Sequence, residues 1–216
     1  IRHAEAYPVF VDVDKSTLGL SPESCEYFLK KYTKITKNGL INKVTKRKIA
    51  AIMPMHTFGH PVDIIQIKKI CENYGLFLFE DAAESLGSYY NNIHTGSFGK
   101  ASILSFNGNK TITTGGGGMI LTDDDDLAEK ARHLSTTAKL KHPWAFIHDA
   151  IGYNYRLPNI NAAIGCSQME YLAYILQNKR ETASLYDKFF SDINICFFKE
   201  PKNTISNYWL NTILFN

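Results

Sequence analysis

Apolar runs a few residues long alternate with segments of helical periodicity through the first 134 residues, and few architectures accept that alternation. Pro8-Val-Phe-Val-Asp-Val-Asp14 is one such run, closing on carboxylates. Ser21-Pro-Glu-Ser follows with the cap and proline of a helix start, and helical spacing continues to Tyr32. Lys48-Ile-Ala-Ala-Ile-Met-Pro54 is the next apolar run, and residues 63–75 then carry apolar side chains at helical spacing with Gly75 as the stop. Leu76-Phe-Leu-Phe-Glu-Asp81 reads as a buried strand ending in two acids. Residues 101–106 and 118–122 read as further short strands, and residues 125–134 as a helix whose start lies in the acidic run from Asp123 to Asp126. This order predicts an α/β domain with a largely parallel sheet, in which ligands sit beyond the carboxyl ends of the strands.

From Pro158 a long helical pattern runs to about Phe190, and residues 193–198 and 207–215 read as strands. The predicted division is the central part of a large domain over 1–157, a linking helix over 158–190, and the start of a smaller α+β domain over 191–216. The chain begins without Met and ends in a strand-like run, and it reads as a fragment of a longer protein. A hydrophobic fraction of 44% with 21% charged residues suits a packed core. The net charge is only +3, and the cluster Lys43, Lys46, Arg47 and Lys48 reads as a solvated face, so no nucleic-acid partner is expected. Cys25, Cys71, Cys166 and Cys196 are scattered, without CxxC or metal-ligand spacing to His, so neither a metal site nor a disulfide framework is expected and a cytoplasmic location is. No apolar run approaches the roughly 18 residues of a membrane span, so no membrane partner is expected.

The chemistry-bearing residues gather at predicted strand ends. Asp81 closes the strand of residues 76–81 and is followed by Ala82 and Ala83, small residues that let a flat ring lie close. An acid at a strand end also serves as a cap or turn former, and Asp81 taken alone reads that way. Lys110 stands in Ser105-Phe-Asn-Gly-Asn-Lys110, just before Thr113-Thr-Gly-Gly-Gly-Gly118. A loop lysine flanked by a serine and a glycine-rich turn suits close approach of the backbone to a cofactor and its phosphate. The four glycines are no Walker loop, lacking the Gly-Lys-Ser/Thr ending, and no dinucleotide fingerprint, because a strand follows them. They read as a tight strand-connecting loop, which also disfavours a nicotinamide dehydrogenase.

With those residues in view, the chain resembles the DegT/DnrJ/EryC1/StrS family of fold-type-I, pyridoxal-phosphate-dependent aminotransferases acting on nucleotide-linked keto-sugars. The resemblance rests on five motifs in order: residues 8–14, His56-Thr-Phe-Gly-His-Pro-Val-Asp63, Glu80-Asp-Ala-Ala-Glu-Ser-Leu-Gly87, residues 105–115 and Gly152-Tyr-Asn-Tyr-Arg-Leu-Pro158. It implies a three-layer large domain with a mostly parallel sheet and pyridoxal 5'-phosphate as cofactor. Lys110 is implied as the Schiff-base lysine, Asp81 as partner of the ring nitrogen, Ala83 as the small residue against the ring and Ser105 as a phosphate ligand. Asn154 is implied to reach the phosphate in a neighbouring subunit, which makes the protein a homodimer with shared sites. Arg156 is implied either at the substrate and interface or in a structural salt bridge.

Glu84 stands where the family usually has Gln or His near the phenolic oxygen, a place where a carboxylate repels unless protonated or turned away. Gly116 stands where the family commonly has Glu. The substrates implied are a nucleotide-sugar and an amino donor, glutamate, for polysaccharide or glycan precursors. The glycine-rich loop and His142-Pro-Trp144 resemble the branch acting on 4-keto sugars of nonulosonic or perosamine-like type. Two alternatives remain: a sugar dehydratase of the same family, which would place His where Lys110 stands, and a non-catalytic relative, which would have lost Asp81 or Lys110.

Overall fold

The computed structural model describes residues 1–193 and 195–215. Residues 8–14, expected as a strand, form none. Only Val13 makes a bridge, to Leu20, and although Val11 packs against the core, Phe10 is 88% exposed, so the run lacks the sheet neighbour that would make it a strand. Helix α1 (Pro22–Tyr32) begins where the Ser21 hydroxyl accepts from the Ser24 amide and Pro22 supplies a helix-ready φ. It leads into a hairpin of β1 (Thr33–Thr36) and β2 (Gly39–Asn42), turned by Lys37-Asn38 with Gly39 at a φ of 100°. The short strand β3 (Ala51–Ile52) follows, then α2 (Ile64–Tyr74) between the Asp63 cap and left-handed Gly75, then β4 (Phe77–Asp81). Asn91 and Asn92, both at positive φ, turn the hairpin of β5 (Tyr89–Tyr90) and β6 (Ile93–His94).

Strands β7 (Ala101–Ser105) and β8 (Gly118–Leu121) flank the glycine-rich loop and precede α3 (Asp125–Ser135), capped by Asp124. The expected single linking helix is two, α4 (Asn159–Glu170) and α5 (Leu172–Asp192), parted at Tyr171, where φ −97° and ψ 0° tighten the turn and the backbone N–H bonds to Gln168 O, three residues back. The strands expected over 193–198 and 207–215 shrink to β9 (Cys196–Phe197) and β11 (Ile213–Leu214), and between them β10 (Thr204–Ile205), which was not expected, pairs with β5. Asn194, inside the first of those expected strands, and Asn216 lie outside the described residues. Among the described residues no helix is long and apolar enough to cross a membrane.

The central sheet has the order β3-β4-β7-β8, parallel except for β8, which the glycine-rich loop returns antiparallel to β7. Its register sets Ile52 beside Leu78, Glu80 beside Ser102 and Asp81 beside Ile103. The pleat therefore turns Ile52, Leu78, Glu80, Ser102 and Leu104 to one face. Buried Ile64, Ile67 and Ile70 of α2 pack against the Ile52 and Leu78 end of that face. Leu172 and Ile175 of α5 pack at the other end with Leu104, Phe106 and Ile112. The opposite face carries Phe77, Ile103 and Ile120, each more than a third exposed, and at its carboxyl edge Asp81 and Ser105.

Candidate active site

Asp81 is the last residue of β4, and both of its backbone groups are committed: its N–H donates to Pro54 O and its C=O accepts from His56 N. Its side chain does little locally. Oδ1 accepts from the Ala83 amide at 3.1 Å, and among the described residues no bond engages Oδ2. Ser105 ends β7 on the same face, and among the described residues its hydroxyl has only a long 3.4 Å contact, accepted from Asn107 N. Beyond it the chain turns back on itself through Phe106 N to Gly117 O and Thr114 N to Phe106 O, and Lys110 sits in that loop. Gly117 has a φ of 104°, and a Cβ there would lie 2.5 Å from Leu157 Cδ1, so the loop closes on residues 152–158 only with glycine at this place. Asn161 Nδ2 ties α4 to the loop at Thr114 O. Gly116, by contrast, has open space around it.

Lys110 Nζ lies 3.5 Å from Glu84 Oε1, both side chains 14% exposed. The other Glu84 oxygen accepts from Phe58 N at 2.8 Å. The expected repulsion at Glu84 thus has a structural answer, since the carboxylate is held between a backbone amide and the lysine. The Lys110 ammonium also sits over the Trp209 ring, 4.0 Å from its centroid. Ala83 is half-buried beside fully buried Ala82. Asn154 and Arg156 are exposed, and neither side chain hydrogen-bonds to Asp81, Glu84, Ser105 or Lys110 within this chain. The Asn154 backbone instead bridges Thr136.

Behind the site, one residue before Asp81 and on the other face of the strand, Glu80 is fully buried. It accepts from His56 Nε2 at 3.1 Å and from the amides of Gly96, Phe98 and Gly99 at 2.8, 2.7 and 2.9 Å. Since Val62 N donates to His56 Nδ1, the histidine is the Nε2–H tautomer and donates that N–H to the carboxylate in a hydrogen bond. Burial alone pushes the Glu80 carboxyl up, but His56 and the amides of Gly96 and Phe98 bring it below its ordinary range. Sequence reasoning did not single out His56, Glu80, Asn207 or Trp209 as individual residues. The last is 100 residues along the chain from Asn109, to whose carbonyl its indole N–H donates at 2.7 Å, and no local pattern marks it.

Pyridoxal phosphate asks for an amine, an acid for its ring nitrogen and donors for its phosphate. Lys110, an Asp81 with an uncommitted oxygen and a Ser105 with a nearly free hydroxyl fit those needs. A sequence model of the DegT/DnrJ/EryC1/StrS aminotransferase family matches residues 1–216. The chain belongs to that family. Among its DegT-family relatives, GDP-perosamine synthase of Escherichia coli O157:H7 is 39% identical over 214 residues, covering 99% of this chain and 54% of that protein. GDP-perosamine synthase of Vibrio cholerae is 34% identical over 211 residues, covering 97% and 52%. Of the solved structures, Helicobacter pylori PseC, an aminotransferase involved in the biosynthesis of pseudoaminic acid, superposes with a TM-score of 0.86 at 28% identity, over 100% of this chain and 54% of that one. The chain spans about half the length of the curated relatives it matches. These DegT-family likenesses support the perosamine-like branch and the fold-type-I, mostly parallel sheet expected from the motifs.

Proposed function

We propose that the whole protein is a pyridoxal-phosphate-dependent aminotransferase that moves an amino group, from glutamate, to a nucleotide-linked keto-sugar used for polysaccharide or glycan precursors. The observation that carries this reading is a desolvated Lys110 beside Glu84, in the loop that follows Ser105. When bound, the cofactor supplies the electron sink that the carbanion of amine transfer needs. In this reading Lys110 holds the cofactor and afterwards moves a proton at the reacting carbon. Asp81 keeps a proton on the ring nitrogen, Ser105 binds the phosphate and Ala83 leaves room for the ring. A cytoplasmic site of action belongs to the same reading and is supported by four free cysteines.

Borohydride reduction of the cofactor-loaded protein followed by peptide mass mapping should place the trapped adduct on Lys110. An adduct on another lysine would sink the assignment. Asn154 we place at the partner's phosphate in a homodimer, supported by its exposure and its lack of a role in its own chain's cluster. Mixing Lys110→Ala with Asn154→Ala subunits then puts both lesions in one site of each mixed dimer and leaves the other intact. Two nearly dead variants should regain about one quarter of the unsubstituted activity on random exchange. No recovery despite demonstrated exchange would mean that Asn154 serves its own chain or no site.

A further inference from the structure

Trp209 is fixed from three directions. Its N–H donates to Asn207 Oδ1 at 2.8 Å, its carbonyl accepts from Lys179 Nζ at 3.2 Å, and its indole Nε1–H donates to Asn109 O at 2.7 Å. The last bond ends on the residue immediately before Lys110, so the same side chain that covers the ammonium also holds the backbone carrying it. The segment that presents the indole is itself pinned. Ser206 N donates to Glu200 and its hydroxyl to Gly59 O, and Arg180, bidentate to Glu200, donates to Ser206 O. Asn207 is fully buried, and its Nδ2 reaches Glu84 O, Leu86 O and Thr111 Oγ1. It thereby clamps both flanks of the Lys110–Glu84 pair. Gly59 makes room for it, since a Cβ there would lie 1.8 Å from Asn207 Oδ1.

We propose that Trp209 is a positioning residue for Lys110: its indole face, together with the Glu84 carboxylate, holds the amine out of water and in one place. A cation in contact with both a π face and a carboxylate is held by each, and both holds strengthen when water is excluded. Asn207 is the clamp that keeps the wall there. The inference rests on the reading of Lys110 as the reacting amine, but what it asserts about Lys110 can be measured without the reaction.

The test is the rate at which Lys110 is acylated by trace acetic anhydride in the whole protein stripped of cofactor, read by peptide mass against an exposed lysine such as Lys199 as internal control. Trp209→Leu keeps apolar bulk but removes the π face and the N–H, and should speed Lys110 labelling roughly five-fold. Trp209→Phe keeps a π face and loses only the bond to Asn109, and should speed it by about two-fold or less. A residue needed only for packing would be replaced by Leu without effect on Lys110, so unchanged labelling in folded Trp209→Leu overturns the proposal. If that variant does not fold, Trp209→Ala decides, for which at least the roughly five-fold rise is expected, and labelling unchanged from the parent overturns the proposal. A second readout is indole emission: the quenching caused by added pyridoxal phosphate should be smaller in Trp209→Phe than in the parent, and equal quenching would remove Trp209 from the cofactor's side of Lys110. Labelling that responds to Trp209 while borohydride traps the cofactor elsewhere would leave this inference standing and remove the assignment of Lys110.

Discussion

Asp81→Ala should lower the rate of amine transfer by the whole protein on the order of 10²–10³-fold, the scale seen when one charge-stabilising group is removed from a site. The structure makes this outcome discriminating. The Asp81 side chain contributes one 3.1 Å bond, from Ala83 N, so its loss should cost about 1 kcal/mol and a few degrees of melting temperature. A turn former would show the small thermal effect alone. A site carboxylate shows a large kinetic effect on a nearly intact fold, with cofactor occupancy falling less than the rate because the interaction matters most as negative charge develops. Asp81→Ala transaminating near the parent rate would return this residue to the role of a cap.

The neighbouring acid should behave in the opposite way. Glu80→Ala leaves the amides of Gly96, Phe98 and Gly99 and the His56 Nε2–H without their acceptor in a fully buried place. Each stranded donor costs ~1–3 kcal/mol, so a loss of about 5 kcal/mol is expected, comparable with the whole stability of many domains. The variant should be largely insoluble, or should melt far below the parent. Glu80→Gln retains one acceptor oxygen but turns an NH₂ toward other donors, and about half that loss is expected. Denaturant titrations of the two variants measure this, and a loss below ~1 kcal/mol for Glu80→Ala would show that the carboxylate is not the anchor of this loop. Adjacent acids on one strand would then be separated by their effects, one on rate and one on folding, because the pleat sends them to opposite faces.

Much of the architecture was legible because it depends on local periodicity. The runs ending in Pro54 and Asp81, the helix between Asp63 and Gly75, and the strands on either side of the glycine-rich loop all form where spacing and stop signals put them. The hairpin of β1 and β2 lies outside the expected strands, although Asn38-Gly39 is a readable turn signal for it. The break at Tyr171 had no signal, since α4 and α5 share one continuous helical pattern and no proline or glycine separates them. Residues 207–215 read as one strand because they are apolar and aromatic. Their first members instead spend their backbone donors on side-chain oxygens, Asn207 on Ser88 Oγ, Tyr208 on Ser206 Oγ and Trp209 on Asn207 Oδ1, which no alternation of apolar and polar residues announces. In the candidate site, Asp81, Ser105 and Lys110 could be named because each stands at the end of a readable strand or in the loop after it. Trp209 could not, because its place depends on contacts made across the whole chain.

Those distant contacts also set a timetable. Gly59 O, Glu84 O and Leu86 O receive their partners from Ser206 and Asn207, which follow them by 147, 123 and 121 positions. At ribosomal speeds of roughly 5–20 residues per second, the turn beyond Asp81 waits something like 6–25 seconds for the residues that satisfy its carbonyls. During that interval the α2 side of the sheet can already consolidate, since its contacts lie close in sequence, while the walls around Lys110 stay open. The nascent protein therefore passes through a stage with a formed sheet and a Lys110 loop that Trp209 does not yet cover.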